Sequence, residues 1–437
     1  MIRILSAFWI FFASLSPIYA AENVVLRIHG SNTIGAKLAP ALVIAWLKTK
    51  NYNNIQQNIT APEESLITAQ DSEGHVYAIE IHAHGSSTSF QDLIAGTADI
   101  GIASRSIKSG EISMLKSLGK MDSPNNEYVL GLDGISVIVN AQNPLNSLDK
   151  SIISQIFSGA ITDWSKLGLA MGEIHIYARD NKSGTFDTFK TLVFNNNETL
   201  VSTAKRFESN AKLSDSVTAD PNGIGFVGLP YIRKSKAVAI ADDGASAIQP
   251  NRFSVGIEDY ALARRLYFYV PEKRNQITNE FVQFSTSAAG QEIVDKVGFV
   301  SQNIFTRNIP PLNTAPDEYK ALTKGAQRLS MNLRFRSGKI DLDNKALRDV
   351  DRLVHFMFKP ENRGKELMLF GFADSTESLP LRSIGISVYR ADAVADYLIR
   401  HNLEPTKVRG YGQSLPVASN VTARGRQANR RVEVWIR

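Results

Sequence analysis

Three short segments place hydroxyl side chains beside glycine just ahead of helical runs: Gly30-Ser31-Asn32-Thr33, Gly85-Ser86-Ser87-Thr88 and Lys182-Ser183-Gly184-Thr185. A helix start presents backbone N–H groups without intrahelical partners and a partial positive charge, so each segment offers donors to an anion. Each is also compatible with an ordinary N-cap. A tetrahedral oxyanion needs donors converging from several directions, and three such junctions can supply them. Arg179 stands four residues before Ser183, and Arg105 ends Ala98-Asp99-Ile100-Gly101-Ile102-Ala103-Ser104-Arg105. A guanidinium can grip phosphate oxygens in bidentate fashion, or close a surface salt bridge instead. His29 and His84 directly precede two of the glycines, and His82-Ala83-His84 puts two imidazoles on one strand face. No third ligand follows at metal spacing, so these read as structural histidines and no metal site is expected. Gly223-x-Gly225-x-x-Gly228 lacks the helix a dinucleotide site needs, because Pro230 comes two residues later. No Gly-x-Ser-x-Gly elbow, Gly-x4-Gly-Lys-Ser/Thr loop or nucleophile–base pair is visible, so no catalytic residue and no cofactor are expected.

The elements that must position these residues alternate along the first part of the chain. Strands are expected at Val24–His29, Val76–His82, Ile135–Val139 and Ile174–Ala178. Helices are expected over Ile34–Leu47, from Phe90, over Ile152–Phe157 and over Phe186–Phe194. That rhythm is α/β with mostly parallel strands. Ile309 to Pro316 carries three prolines and reads as an extended spacer within a 309–325 linker. Beyond it, Leu347–Met357 and Ile384–Leu398 keep helical spacing, and Leu367–Phe372, Lys407–Tyr411 and Val432–Ile436 read as strands, giving a small α+β unit over 326–437. The spacer predicts that a fragment from about Asn313 to Arg437 stands alone.

The 437 residues exceed one ordinary domain, and 43% hydrophobic with 21% charged residues is a globular balance. The net charge of +6 is uneven. From Arg328 onward 20 Lys and Arg face 12 Asp and Glu, a surplus of eight, so the remainder is slightly acidic. An even basic field for nucleic acid is therefore absent. The lack of cysteine excludes disulfides, thiolate metal sites and lipidation of an N-terminal cysteine. Arg3, the apolar run Ile4–Leu15 and the small-residue end at Ala20 read as a secretory signal peptide over 1–20. That run is shorter than the ~20 residues a spanning helix needs. A soluble, exported mature chain without a membrane span is expected.

From about Val24 to Asn303 the motifs, in order and spacing, resemble PstS-type periplasmic phosphate-binding proteins. They are the Gly-Ser-x-Thr start, the Gly-Ser-Ser turn, Ala95–Gly101 with Ser104-Arg105, Phe157–Trp164, Arg179 with Ser183-Gly184-Thr185, and Gly223–Val227. The resemblance implies a type II binding-protein fold over 21–308. Its two lobes would be joined by crossovers near 129–133 and 263–268 and would close on phosphate or a related oxyanion. It implies Thr33, Ser86, Arg179, Ser183, Gly184 and Thr185 as the oxyanion contacts, with Arg105 a further candidate. One branch of the family has Asp where this chain has Arg105, and another Asp where it has Asn181, to accept the proton of hydrogen phosphate. Asp133 is the candidate replacement, with a hinge-region cap as the other reading. An ABC permease is an implied partner.

The C-terminal motifs closely resemble OmpA-like peptidoglycan-binding domains. They are Gly371-Phe372-Ala373-Asp374, Ile386-Ser387-x-x-Arg390-Ala391, and Gly410–Pro416 followed by Asn420-x-Thr422-x-x-Gly425-Arg426-x-x-Asn429-Arg430-Arg431. The resemblance implies that Asp374 pairs with the ammonium and Arg390 with the carboxylate of a diaminopimelate-containing peptide, with Asn429 and Arg430 beside the pocket. An internal Asp–Arg salt bridge is the other reading. Ala373, Glu377 and Ser383 depart from the family's Thr, Gly and Asn. The expectation is a wall-attached periplasmic oxyanion-binding protein. The rivals are an envelope sensor or scaffold whose binding-protein domain docks a partner and, weakest, an enzyme such as a periplasmic phosphatase.

Overall fold

The computed structural model describes residues 24–194, 197–242, 245–335, 341–377 and 379–437. The signal peptide read over 1–20 lies outside the described residues. The first lobe is built on β1 (Val24–Gly30), β2 (Asn53–Ala61), β3 (Glu64–Gln70), β4 (Val76–His82) and β5 (Ile100–Ala103), in the order β2-β3-β4-β1-β5. β1 runs parallel to both β4 and β5. The 13-residue β6 (Glu127–Val139) then carries the chain out of this lobe.

The second lobe holds β7 (Ser147–Asp149), β8 (His175–Arg179), β9 (Lys205–Phe207), β10 (Gly223–Gly228), β11 (Lys236–Ala237) and β12 (Ala239–Ala241). The chain returns through β13 (Ala263–Tyr269), which pairs with β5 on one side and with β6 on the other. β6 pairs with β13 over 127–134 and with β10 over 135–139. It thus belongs to both lobes, and the two sheets form one continuous path. Pro40 falls in the first turn of the helix Leu38–Thr49, where its missing N–H costs no intrahelical bond. The expected helix over Ile34–Leu47 is accordingly split, with a short turn at Asn32–Gly35 before it.

The third unit has β14 (Thr306–Arg307), β15 (Gln327–Arg334), β16 (Leu367–Gly371), β17 (Lys407–Gly410) and β18 (Arg431–Ile436), ordered β14-β15-β18-β16-β17. Helices Asn344–Met357 and Pro380–Arg400 accompany this sheet. Leu329, Leu333, Leu353, Leu369, Leu398 and Val434 are fully buried in its core, each contributing about 1.5–3 kcal/mol by leaving water. The proline-bearing segment is not a free, extended spacer. β14 lies before the prolines yet pairs with β15. Asp317–Thr323 is a helix whose Tyr319 packs on Phe370, Phe372, Tyr411 and Trp435 and donates to Glu433 at 2.8 Å. The prolines stop regular structure over a few residues, but burial of Ala315 and Tyr319 fastens the segment down.

Candidate functional site

The hydroxyl-bearing junctions meet where the two lobes touch. Ser86 opens the helix Ser86–Ala95 of the first lobe, and Ser183 caps the helix Gly184–Val193 of the second, accepting from the amides of Thr185 and Phe186. Thr33 Oγ1 lies 2.9 Å from Thr185 Oγ1 across the lobes. Ser86 Oγ accepts from the amide of Ser104 at 3.0 Å and lies 3.3 Å from its hydroxyl. Gly184 permits the approach: a Cβ there would stand 2.1 Å from Ser86 Oγ and 2.7 Å from Ser104 Oγ. Gly85 has φ +117°, and a Cβ there would meet the carbonyl oxygen of Lys182 at 2.3 Å. The lobes are closed on one another at these residues.

Arg179 is buried at the end of β8. Its Nε donates to the carbonyl of Phe207 at 3.1 Å and Nη2 to that of Glu208, while Nη1 is buried with no hydrogen-bond partner. Burial pulls its guanidinium down to about 10, so it stays cationic at neutral pH. A buried, unpaired guanidinium nitrogen is costly unless an acceptor reaches it.

Asp133 and Arg105 are placed otherwise than the sequence reading expects. Asp133, fully buried on β6, accepts from Arg264 Nε at 2.9 Å and Nη2 at 2.6 Å, and from the amide of Leu229 at 2.7 Å. Its carboxylate faces an arginine rather than standing free as a proton acceptor. Burial pushes it above the usual carboxylate range against the pull of Arg264. Arg264 in turn donates to Thr185 Oγ1 at 2.9 Å and Thr33 Oγ1 at 3.4 Å. Arg105 is held by Glu111 at 2.5 Å and by Asp187 of the second lobe at 3.1 Å, an ion-pair bridge between lobes rather than a free anion grip. Asn181 accepts from Arg206 at 2.8 Å.

In the C-terminal unit Asp374 and Arg390 do not pair with each other. Asp374, fully buried, accepts from the amide and hydroxyl of Thr376 at 2.7 Å each and from Arg430 Nη1 at 2.7 Å. Burial opposes ionisation, but the bonds from Thr376 and then Arg430 hold this carboxyl below its usual range. Arg390 is gripped by both oxygens of Glu377, one at 2.7 Å. Asn429 is structural: it accepts from the amides of Val417 and Ala418 and donates to the Ala418 carbonyl and Asn420.

A family model described as the PBP superfamily domain matches residues 52–289, more than half of the chain. The chain belongs to the PBP superfamily. An OmpA family model matches residues 334–430, so the PBP domain is followed by an OmpA domain. The phosphate-binding protein PstS of Staphylococcus aureus (strain USA300) is 31% identical over 227 residues, covering 50% of this chain and 67% of its own length. A solved putative phosphate ABC transporter substrate-binding protein with bound phosphate, from Clostridium perfringens, is 25% identical with a TM-score of 0.50. It covers 63% of this chain and 98% of its own. An ABC-type phosphate transport receptor from Vibrio cholerae is 21% identical, with a TM-score of 0.47 and 63% of this chain covered. No helix of the described residues is long and apolar enough to cross a membrane.

Sequence reasoning missed Arg264 and Ser104 in the PBP domain. The signal for Arg264 was an arginine at the start of a strand that is otherwise apolar and aromatic after Arg265, with an aspartate in the other crossover to neutralise it. The metal reading also missed a donor. Glu80, two residues before His82 on the same strand face, brings a carboxylate oxygen to 2.9 Å from His29 Nε2.

Proposed function

We propose that the PBP domain binds phosphate, or an oxyanion of the same shape, between its lobes in the periplasm. The OmpA domain holds the protein on peptidoglycan, and an ABC permease receives the anion. The buried unpartnered Nη1 of Arg179 carries this reading, because it needs an acceptor and lies at the end of the strand that leads to the Ser183–Thr185 turn. Arg179 supplies charge. Thr33, Ser86, Ser183, Thr185 and the backbone around Gly184 supply donors from both lobes, so the anion bridges the lobes and stabilises their closure. Arg264 adds a second cation within hydrogen-bonding distance of Thr33 and Thr185. The phosphate-binding names of the relatives support the choice of anion.

Titration calorimetry with phosphate, sulfate and molybdate tests the binding reading. One phosphate per chain is expected. Arg179→Ala should weaken it by about 1.5–3 kcal/mol, the worth of a hydrogen bond to a charged group, or roughly tenfold to 150-fold. Unchanged phosphate affinity in Arg179→Ala, or no binding by the wild type, overturns the assignment. For the tether, Asp374 and Arg390 are the proposed ligand contacts, each held by an internal partner that the peptide must displace. Co-sedimentation with purified peptidoglycan that is lost in Asp374→Ala and Arg390→Ala supports this. Equal pelleting of both variants and the wild type removes it.

A further inference from the structure

Three of the chain's seven histidines lie at one edge of the first lobe. His29 on β1 and Glu64 on β3 are both register partners of His82 on β4, so the three form a row across adjacent strands. Glu80 lies two residues back from His82 on the same face, since side chains alternate along a strand. Its Oε1 is 2.9 Å from His29 Nε2 and 3.6 Å from His82 Nε2. The His29, Glu80 and His82 donor atoms all lie within 4.8 Å of one another. Tetrahedral coordination at ~2.0–2.2 Å from a zinc-like ion sets donors about 3.3 Å apart, and the two contacts to Glu80 bracket that spacing. Glu64 Oε2, 3.8 Å from His82 Nε2, stands ready as a further oxygen donor.

Two observations set this cluster apart from a chance group of polar side chains. Asp92, on the helix Ser86–Ala95, faces His29 Nδ1 at 3.0 Å. A carboxylate on the far ring nitrogen is the arrangement that fixes a metal-ligating histidine in the correct tautomer. The buried His29 ring also has a carboxylate oxygen at both nitrogens, Asp92 at Nδ1 and Glu80 at Nε2, so an ion on Nε2 would share Glu80 as a donor while Nδ1 keeps Asp92. The surroundings add negative charge, since Glu64 and Glu208 both contact His84 beside the cluster. Glu80 and His82 keep 29% and 27% of their side chains exposed, so an ion can enter from solvent and retain a water.

We propose that His29, Glu80 and His82 form a binding site for a borderline divalent transition metal of the zinc class. Mixed imidazole and carboxylate donors favour such an ion over magnesium or calcium. The site is separate from the anion contacts, although His29 leads directly into Gly30 and His82 lies three residues before Gly85. A bound ion fixes the ends of β1 and β4 from which both turns emerge.

The test uses the full-length chain without an affinity tag, titrated with zinc in competition with a chromogenic chelator, with magnesium and calcium in parallel. One saturable zinc site per chain is expected, with magnesium and calcium at least a hundredfold weaker. His82→Ala and the near-isosteric Glu80→Gln should each weaken zinc at least tenfold, and Asp92→Asn tenfold to a hundredfold. His175→Ala, on the other lobe and paired with Asp220, should change nothing. Zinc should raise the melting temperature of the wild type and not that of Glu80→Gln. No saturable site, or wild-type zinc affinity in both folded variants His82→Ala and Glu80→Gln, overturns the proposal.

Discussion

Asp133 and Arg264 pair at the junction of the lobes, where the carboxylate is fully buried and the pair's desolvation opposes its attraction. Asp133→Asn keeps the shape but leaves Arg264 without its anion. Removing one partner of a buried pair typically costs about 3–5 kcal/mol. The variant should therefore melt earlier, and because Arg264 orients Thr33 and Thr185, phosphate and sulfate affinities should fall together. Calorimetry with both anions checks this; a loss confined to phosphate would restore Asp133 as the proton acceptor. That Thr33, Ser86, Gly184 and Thr185 stand at helix starts was legible, because hydroxyl beside glycine after a strand has a local signature. Arg264 was not, because its meaning depends on a partner 131 positions away. For Arg105 one partner, Asp187, is likewise distant at 82 positions, while Glu111 lies only six residues on and carries no motif that marks it as a partner.

Strands and helices were readable where one face is apolar, as in Val76–His82, which the structure places over the same residues. The hairpin of β2 and β3 was not, because Asn53–Ala61 is almost wholly exposed and carries no alternating pattern. In the OmpA domain the loop from Asp374 to Glu377 places Glu377 on Arg390, an internal carboxylate where the proposed ligand carboxylate would bind. Glu377→Gly should free Arg390 and raise the fraction of protein that pellets with peptidoglycan; a drop would mean that Glu377 holds the pocket in shape. On β18, Glu433 is buried among Arg328, Arg431 and Tyr319. Burial opposes ionisation, but Arg328 and then Arg431 hold its carboxyl down at about 2 against an ordinary 4.5. A depressed carboxylate stabilises the fold fully above its unfolded value and loses that contribution as pH falls through the folded one. About 3 kcal/mol, at 1.36 kcal/mol per unit, should therefore disappear between pH 4.5 and 2. Glu433→Gln should flatten that part of the acid-unfolding curve.

The OmpA domain is not suspended on a spacer but lies against the strands that join the two lobes. Arg424 donates to the carbonyl of Ala263 at 2.7 Å, and Asn344 donates to Glu127 at 2.9 Å. Arg265 reaches Asp343 at 2.8 Å while holding Glu258. Arg328, Asn332 and Arg334 converge on Asp259, and the amide of Ser419 donates to Asp242 at 3.1 Å. A fragment beginning at Asn313 would lose β14 and leave Arg328 and Arg334 without Asp259, so it should be less stable than the same residues in the whole chain. Hinge closure in a two-lobed protein bends the connecting strands, and here those strands carry the docked domain. The whole chain should consequently unfold in one calorimetric transition whose van't Hoff and calorimetric enthalpies agree. Phosphate bound at the proposed site stabilises the folded state alone, so at a hundred times its dissociation constant it should add about 2.7 kcal/mol and move the entire transition upward. Asp259→Ala, which is none of the proposed anion contacts but is shared by three residues of β15, should split the profile into two steps and leave the phosphate shift on the step that belongs to the lobes. Two steps already present in the wild type, with phosphate moving only one, would show that the domains unfold independently and that closure of the lobes is not felt by the OmpA domain.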